Sequence, residues 1–146
     1  MQSSAKAEIT VGERIVFSDN VQRSQKFLWD NWYDKEAWGV WSNGKKASLY
    51  LPKRDRASHY LDLELKSLIT GNHPVQKVKV KINGISTEIQ ITAAKEGVYK
   101  IPISSLTNED IWVEIETPNA ISPEQAGFGN GDKRKLGVGL ISVEFK

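Results

Sequence analysis

Apolar residues recur at every second position along most of this chain, the period of half-buried β-strands. Leu61, Leu63 and Leu65 share one phase, with Tyr60, Asp62 and Glu64 on the other. Val78, Val80 and Ile82 alternate with Lys77, Lys79 and Lys81 and run into Asn83-Gly84, from which Ile85 to Ile91 returns. Asn-Gly adopts the positive φ angles of a tight turn, so this stretch predicts a hairpin with a solvated lysine face. Ala37 to Ser42, Asn43-Gly44 and Lys45 to Leu51 predict a second hairpin by the same rule. Pro102 sits out of phase with Tyr99, Ile101 and Ile103, which suits an edge position or a strand end. Ile111, Val113 and Ile115 form another strand, with Trp112 pointing to the opposite face. Near the end, Leu136, Val138 and Leu140 give way to the opposite phase at Ile141, Val143 and Phe145, beside Gly137 and Gly139. Such a slip is what a β-bulge produces.

Ile9 with Val11 and Ile15 with Phe17 add apolar pairs near the N-terminus, and Ser18 to Lys26 reads as a connection. Lys53 to Arg56 is a charged loop. Helical periodicity is absent, apart from room for one short turn at Ser122-Pro-Glu-Gln-Ala. Eight or nine short strands with regular turn signals imply an all-β fold, an antiparallel β-sandwich of jelly-roll type. At 146 residues, 1–146 is read as a single domain that buries its own core, with residues 1–7 as a flexible tail.

The densest feature is Trp29-Asp-Asn-Trp-Tyr-Asp-Lys-Glu-Ala-Trp-Gly-Val-Trp41, which holds four of the five tryptophans. Indole is a large apolar ring with one N–H donor, so the cluster builds either a core or an aromatic platform. On a regular strand, Trp38 and Trp41 would point to opposite faces, leaving one indole covered by a loop or exposed. As a platform, Trp29, Trp32, Tyr33 and one of Trp38 and Trp41 would stack on the C–H faces of a sugar. Asp34, Glu36 and Arg134 would then bond its hydroxyls, the usual division of labour in small-molecule sites. On this reading Trp32→Ala weakens glycan binding by about 1–3 kcal/mol without unfolding the domain. The long Gly- and Pro-rich loop from Thr117 to Arg134 is a second candidate, either as a cap over one end of the sandwich or as a binding loop.

Three stretches carry a family likeness: Trp32-Tyr-Asp-Lys-Glu-Ala-Trp-Gly-Val-Trp-Ser-Asn-Gly44, Pro74-Val-Gln-Lys-Val-Lys-Val-Lys-Ile-Asn-Gly84, and the run from Ile121 to Leu140. Together they resemble an accessory β-sandwich domain appended to the C-terminal end of bacterial polysaccharide and cell-envelope glycosyltransferases. The chain is also similar to the wider group of galactose-binding-like and carbohydrate-binding jelly rolls. The resemblance spans Trp32 to Phe145. It implies association with glycan synthesis or glycan binding, with a glycosyltransferase in cis or in trans as partner, and no catalysis.

Other chemistry finds little footing. There is no cysteine, and neither a Gly-x-Ser-x-Gly elbow nor any other nucleophile elbow is present. His59 and His73 read as surface residues. Carboxylate pairs such as Asp62 with Glu64 are too common among eighteen acids to signal a glycosidase. Asn130-Gly-Asp132 reads as an Asx turn rather than a calcium site. No cofactor or metal is implied. Interspersed charges with a net +2 argue against a dedicated nucleic-acid binder, and no apolar run approaches a membrane span of about 20 residues.

Two functional classes therefore lead. A non-catalytic carbohydrate-binding module would show exposed, roughly coplanar rings beside a groove. A protein-docking domain would show a broad apolar patch instead. A hydrolase or lyase, the third reading, needs a deep pocket with a carboxylate pair of perturbed acidity.

Overall fold

Alternation decides which residues meet. In the computed structural model, which describes residues 9–52, 58–103 and 110–146, Leu61, Leu63, Leu65, Val80, Ile82, Val113 and Ile115 all turn inward and are buried. The expected tail, residues 1–7, and the charged loop Lys53 to Arg56 lie outside the described residues. Among the described residues the strands are β1 (Ile15–Val16), β2 (Leu28–Asp30), β3 (Val40–Asn43), β4 (Lys46–Leu51), β5 (Tyr60–Lys66), β6 (Gln76–Ile82), β7 (Ile85–Ile91), β8 (Gly97–Pro102), β9 (Ile111–Glu116) and β10 (Leu136–Phe145). A 3-10 turn at Arg23–Phe27 and one short helix, α1 (Pro123–Ala126), complete the secondary structure.

Two five-stranded antiparallel sheets face each other. The first runs β1-β10-β5-β8, with β3 also paired to β10; the second runs β2-β4-β9-β6-β7. Their inner faces enclose a single apolar cluster that includes Phe17, Phe27 and Phe145, each almost completely buried. The all-β sandwich expected from alternation is what the chain forms.

The β6–β7 hairpin turns at Asn83 and Gly84, both with positive φ (48° and 89°), and keeps register from Ile82↔Ile85 to Gln76↔Ile91. Pro102 ends β8, the edge strand of its sheet, where a missing N–H costs no ladder bond. The phase slip in β10 is a pair of register shifts, between Leu136 and Gly139 against β3 and between Leu140 and Ser142 against β5. Ser122 opens α1 with a capping box, its hydroxyl accepting from the Gln125 N–H.

One expected hairpin does not form. Asn43-Gly44 joins the two sheets rather than two paired strands: β3 pairs with β10, while β4 pairs with β2 and β9. The backbone around the turn has other partners, since Asn43 N–H donates to Asn31 O and Gly44 N–H to Lys135 O. A turn does form, but at Gly44, the one residue of the pair with positive φ, while Asn43 remains the last residue of β3; the pairing is a tertiary choice.

The strand expected from Ala37 begins only at Val40. Before it, Glu36 and Gly39 close a tight turn through a bond from Glu36 N–H to Gly39 O at 2.7 Å. Gly39 lies so close to β10 that a Cβ there would sit 2.4 Å from Leu140 O. Because Trp38 stands outside the strand, the alternation argument does not apply to it, and Trp38 and Trp41 meet on the same side.

Candidate functional site

On β4 the buried Leu49 and Leu51 flank Tyr50, and on β9 the buried Ile111 and Val113 flank Trp112. Both aromatics therefore point away from the core, and the register sets them directly opposite each other. Their ring centroids are 4.7 Å apart. Trp29 joins from β2, where it is the extra residue between the pairs Leu28↔Leu49 and Asp30↔Ser48. Its indole lies 5.2 Å from that of Trp112 and 6.2 Å from the Tyr50 ring. Trp29 is 58% exposed and Trp112 45%, unusual values for the largest apolar side chain. The two indoles are exposed but the rings are not coplanar, against the expectation for a flat sugar platform: Trp29 stands at 89° to Trp112, and Tyr50 at 44°. Edge-to-face packing satisfies the ring quadrupoles and fixes the cluster in place.

Polar groups hold this cluster from below and beside. Asn83 in the β6–β7 turn accepts from the Trp112 N–H at 2.8 Å and donates to Asp110 O at 3.0 Å. Tyr50 Oη donates to Asp110 Oδ2 at 2.6 Å, and that bond, with some burial, raises the phenol above its ordinary pKa. A depression of about 410 Å³ opens beside the indoles, lined by Asp30, Ser48, Lys81, Asn83 and Glu114 as well. Lys81 pairs with Glu116 at 3.1 Å and Glu114 at 3.8 Å, and Lys46 with Glu114 at 3.5 Å. The hydrogen bond from Lys81 holds the Glu116 carboxyl below its ordinary value. The lysine face of the hairpin is thus outward, as expected, and laced with acids. A second, separate depression, about 580 Å³, lies on this face between Lys77, Lys79, Glu88, Gln90 and Glu116.

The residues expected to form one platform are divided between the two sheets. Trp29 belongs to the cluster just described. Trp38 and Trp41 lie on the outer side of the first sheet, edge to face at 5.1 Å. Trp38 rests on Gly139, where a Cβ would lie 2.7 Å from the ring. Lys66 Nζ sits 3.5 Å from the Trp38 ring centroid and covers that face, with burial lowering its pKa. The Trp38 N–H donates to Glu36 Oε1 at 3.3 Å, and Trp41 is only 8% exposed. Arg134 lies over the Tyr33 ring at 5.2 Å, reaches Glu36 at 4.0 Å and clamps Asp132 at 2.8 Å. Those bonds hold the Asp132 carboxyl below its usual value. Trp32 is partly buried against the core, and its N–H donates to Ser48 O at 2.8 Å. Asp34 is exposed in the connection between β2 and β3.

Tyr50 and Trp112 are thus additions that the sequence reading did not include. The available signal was an aromatic on the polar phase of an otherwise regular strand. The loop from Thr117 is bound to the body through Asn119, whose side chain bonds Val75 O, the Lys77 N–H and the Gln76 amide. His73 is not a surface residue as expected. The Thr70–His73 turn folds it inward, and its Nε2 lies 2.9 Å from Gln76 Oε1. Among the described residues, no three acids or histidines converge as a metal site, and no helix is long and apolar enough to cross a membrane.

In fold the chain is similar to known jelly-roll proteins. A family two carbohydrate esterase from Cellvibrio japonicus superposes with a TM-score of 0.52 at 17% identity, over 92% of this chain and 34% of that one. The chain thus spans about a third of the esterase's length. Carbohydrate-binding module CBM36, solved in complex with calcium and xylotriose, matches with a TM-score of 0.50 at 12% identity, over 92% of this chain and 99% of its own. The CBM36-1 domain of a multidomain xylanase from the hindgut metagenome of Trinervitermes trinervoides also gives 0.50, at 11% identity and 92% and 95% coverage. Such low identities establish the fold alone. No curated protein matches in sequence. The chain belongs to the family described as "Domain of unknown function (DUF7024)", whose model matches residues 16–146.

Proposed function

We propose that this chain is a single β-sandwich domain that binds carbohydrate through Trp29, Tyr50 and Trp112, without catalysing a reaction on it. The observation that carries this reading is the exposure of two indoles in one ordered cluster beside a depression lined by hydrogen-bonding groups. An indole face packs on the C–H face of a pyranose, while Asp30, Ser48, Lys81 and Glu114 meet its hydroxyls. Rings set at steep angles offer a seat for a sugar unit rather than a flat ribbon. The neighbour solved as a carbohydrate-binding module with xylotriose, and the related CBM36-1 domain of a xylanase, support the same class.

Positioning a glycan for a linked or partner enzyme, a glycosyltransferase in the resemblance noted above, is the role we assign to such binding. A docking domain that binds no sugar is the alternative. The polar rim of the cluster favours sugar over a broad apolar contact. Glu116, whose pKa the hydrogen bond from Lys81 lowers, is unsuited to act as a general acid, which needs a raised pKa.

Calorimetric titration with a panel of neutral oligosaccharides and polysaccharides tests the proposal. Saturable binding to one glycan class is expected, weakened about tenfold by Trp112→Ala and unchanged by Trp38→Ala. Absence of binding across the panel, with a stable fold, would leave the docking alternative.

A further inference from the structure

We infer that the ligand is a neutral glycan chain several residues long, laid in a trough from the ring cluster to Glu88 and Gln90 on β7. This rests on the carbohydrate reading and extends it to a substrate class. The two depressions share one face. Lys81 opposes Glu114 and Lys79 opposes Glu116 in the β6–β9 ladder, so these four polar side chains, two in each lining, project to the same side. The Lys81–Glu116 ion pair lies between them. From Trp112 to Glu116 is about 13 Å along β9, and the two strand spacings to β7 add about 10 Å across. Such a span exceeds a single pyranose by far.

Charge narrows the class. The two linings bring three lysines, Lys77, Lys79 and Lys81, against four carboxylates, Asp30, Glu88, Glu114 and Glu116. Lys81 is already shared between two of those acids. An anionic polysaccharide would meet no surplus of positive charge here, and Coulomb attraction would not favour it. Alternating donors and acceptors suit hydroxyls instead.

The test is calorimetry of the full chain with xylan- and glucan-derived oligosaccharides, from disaccharide to hexasaccharide, beside polygalacturonate as the anionic probe. Affinity is expected to rise about tenfold with length. The double variant Glu88→Ala/Gln90→Ala should remove that gain and leave disaccharide binding unchanged. If disaccharide and hexasaccharide bind equally and Trp112→Ala abolishes both, the carbohydrate reading stands and the trough is wrong. Tighter, salt-sensitive binding of polygalacturonate overturns the neutral class. Failure of every probe, polygalacturonate included, overturns the carbohydrate reading and the trough with it.

Discussion

The side chain of Asn83 accepts a hydrogen bond from the backbone N–H of Trp112 at 2.8 Å, tying the tip of one hairpin to the strand that carries an exposed indole. Its amide also donates to Asp110 O, so one turn residue holds both ends of the Asp110–Trp112 segment. Asn83→Gly keeps a residue that accepts positive φ but deletes both side-chain bonds. The expected cost is about 1–2 kcal/mol in urea unfolding, with faster amide exchange at Trp112. Unchanged exchange there would show that Asn83 serves the turn alone.

The tryptophans should separate by stability. Trp29→Ala and Trp112→Ala remove rings that are about half exposed and should cost about 1 kcal/mol each. Trp32→Ala empties a partly buried position and removes the bond to Ser48 O, so about 2–4 kcal/mol is expected, with little effect on glycan affinity at the ring cluster. Denaturant unfolding with calorimetry on each variant separates the two classes.

Gly139→Ala would place a Cβ 2.7 Å from Trp38 and 3.0 Å from the Lys66 stem. The indole must shift from β10, which should cost about 1–3 kcal/mol and change the near-ultraviolet circular dichroism. Glycan binding on the opposite sheet should be retained.

Tyr50 gives a pH signature. Its folded-state pKa is raised, chiefly by its hydrogen bond to Asp110 and then by burial. The stabilisation is therefore fully present below the unfolded-state value of about 10 and lost as pH rises through the higher folded value. The stability difference between wild type and Tyr50→Phe should stay constant through neutral pH and shrink only in alkali. A difference that changes near neutrality would contradict this assignment.

Strand positions were legible because alternation is local and strong. Val78, Val80 and Ile82 read as a strand from any window, and Asn83-Gly84 as its turn. Pairing was less legible. Asn43-Gly44 carries the same signal as Asn83-Gly84, yet β3 finds its partner in β10, which lies far along the chain. The ring cluster is assembled from β2, β4 and β9, and each strand supplies a single aromatic. A crowded run such as Trp29 to Trp41 draws attention, but its members part between two sheets. Density in sequence marked the neighbourhood of one cluster member and missed the two rings that complete it.

The most direct measurement is a heteronuclear NMR titration that follows the five tryptophan indole N–H signals as neutral oligosaccharide is added. Binding at the ring cluster should shift the Trp29 and Trp112 signals together and leave those of Trp32, Trp38 and Trp41 in place. Shifts confined to Trp38 and Trp41, or none with any glycan, would contradict the assignment of the second sheet's outer face as the binding site.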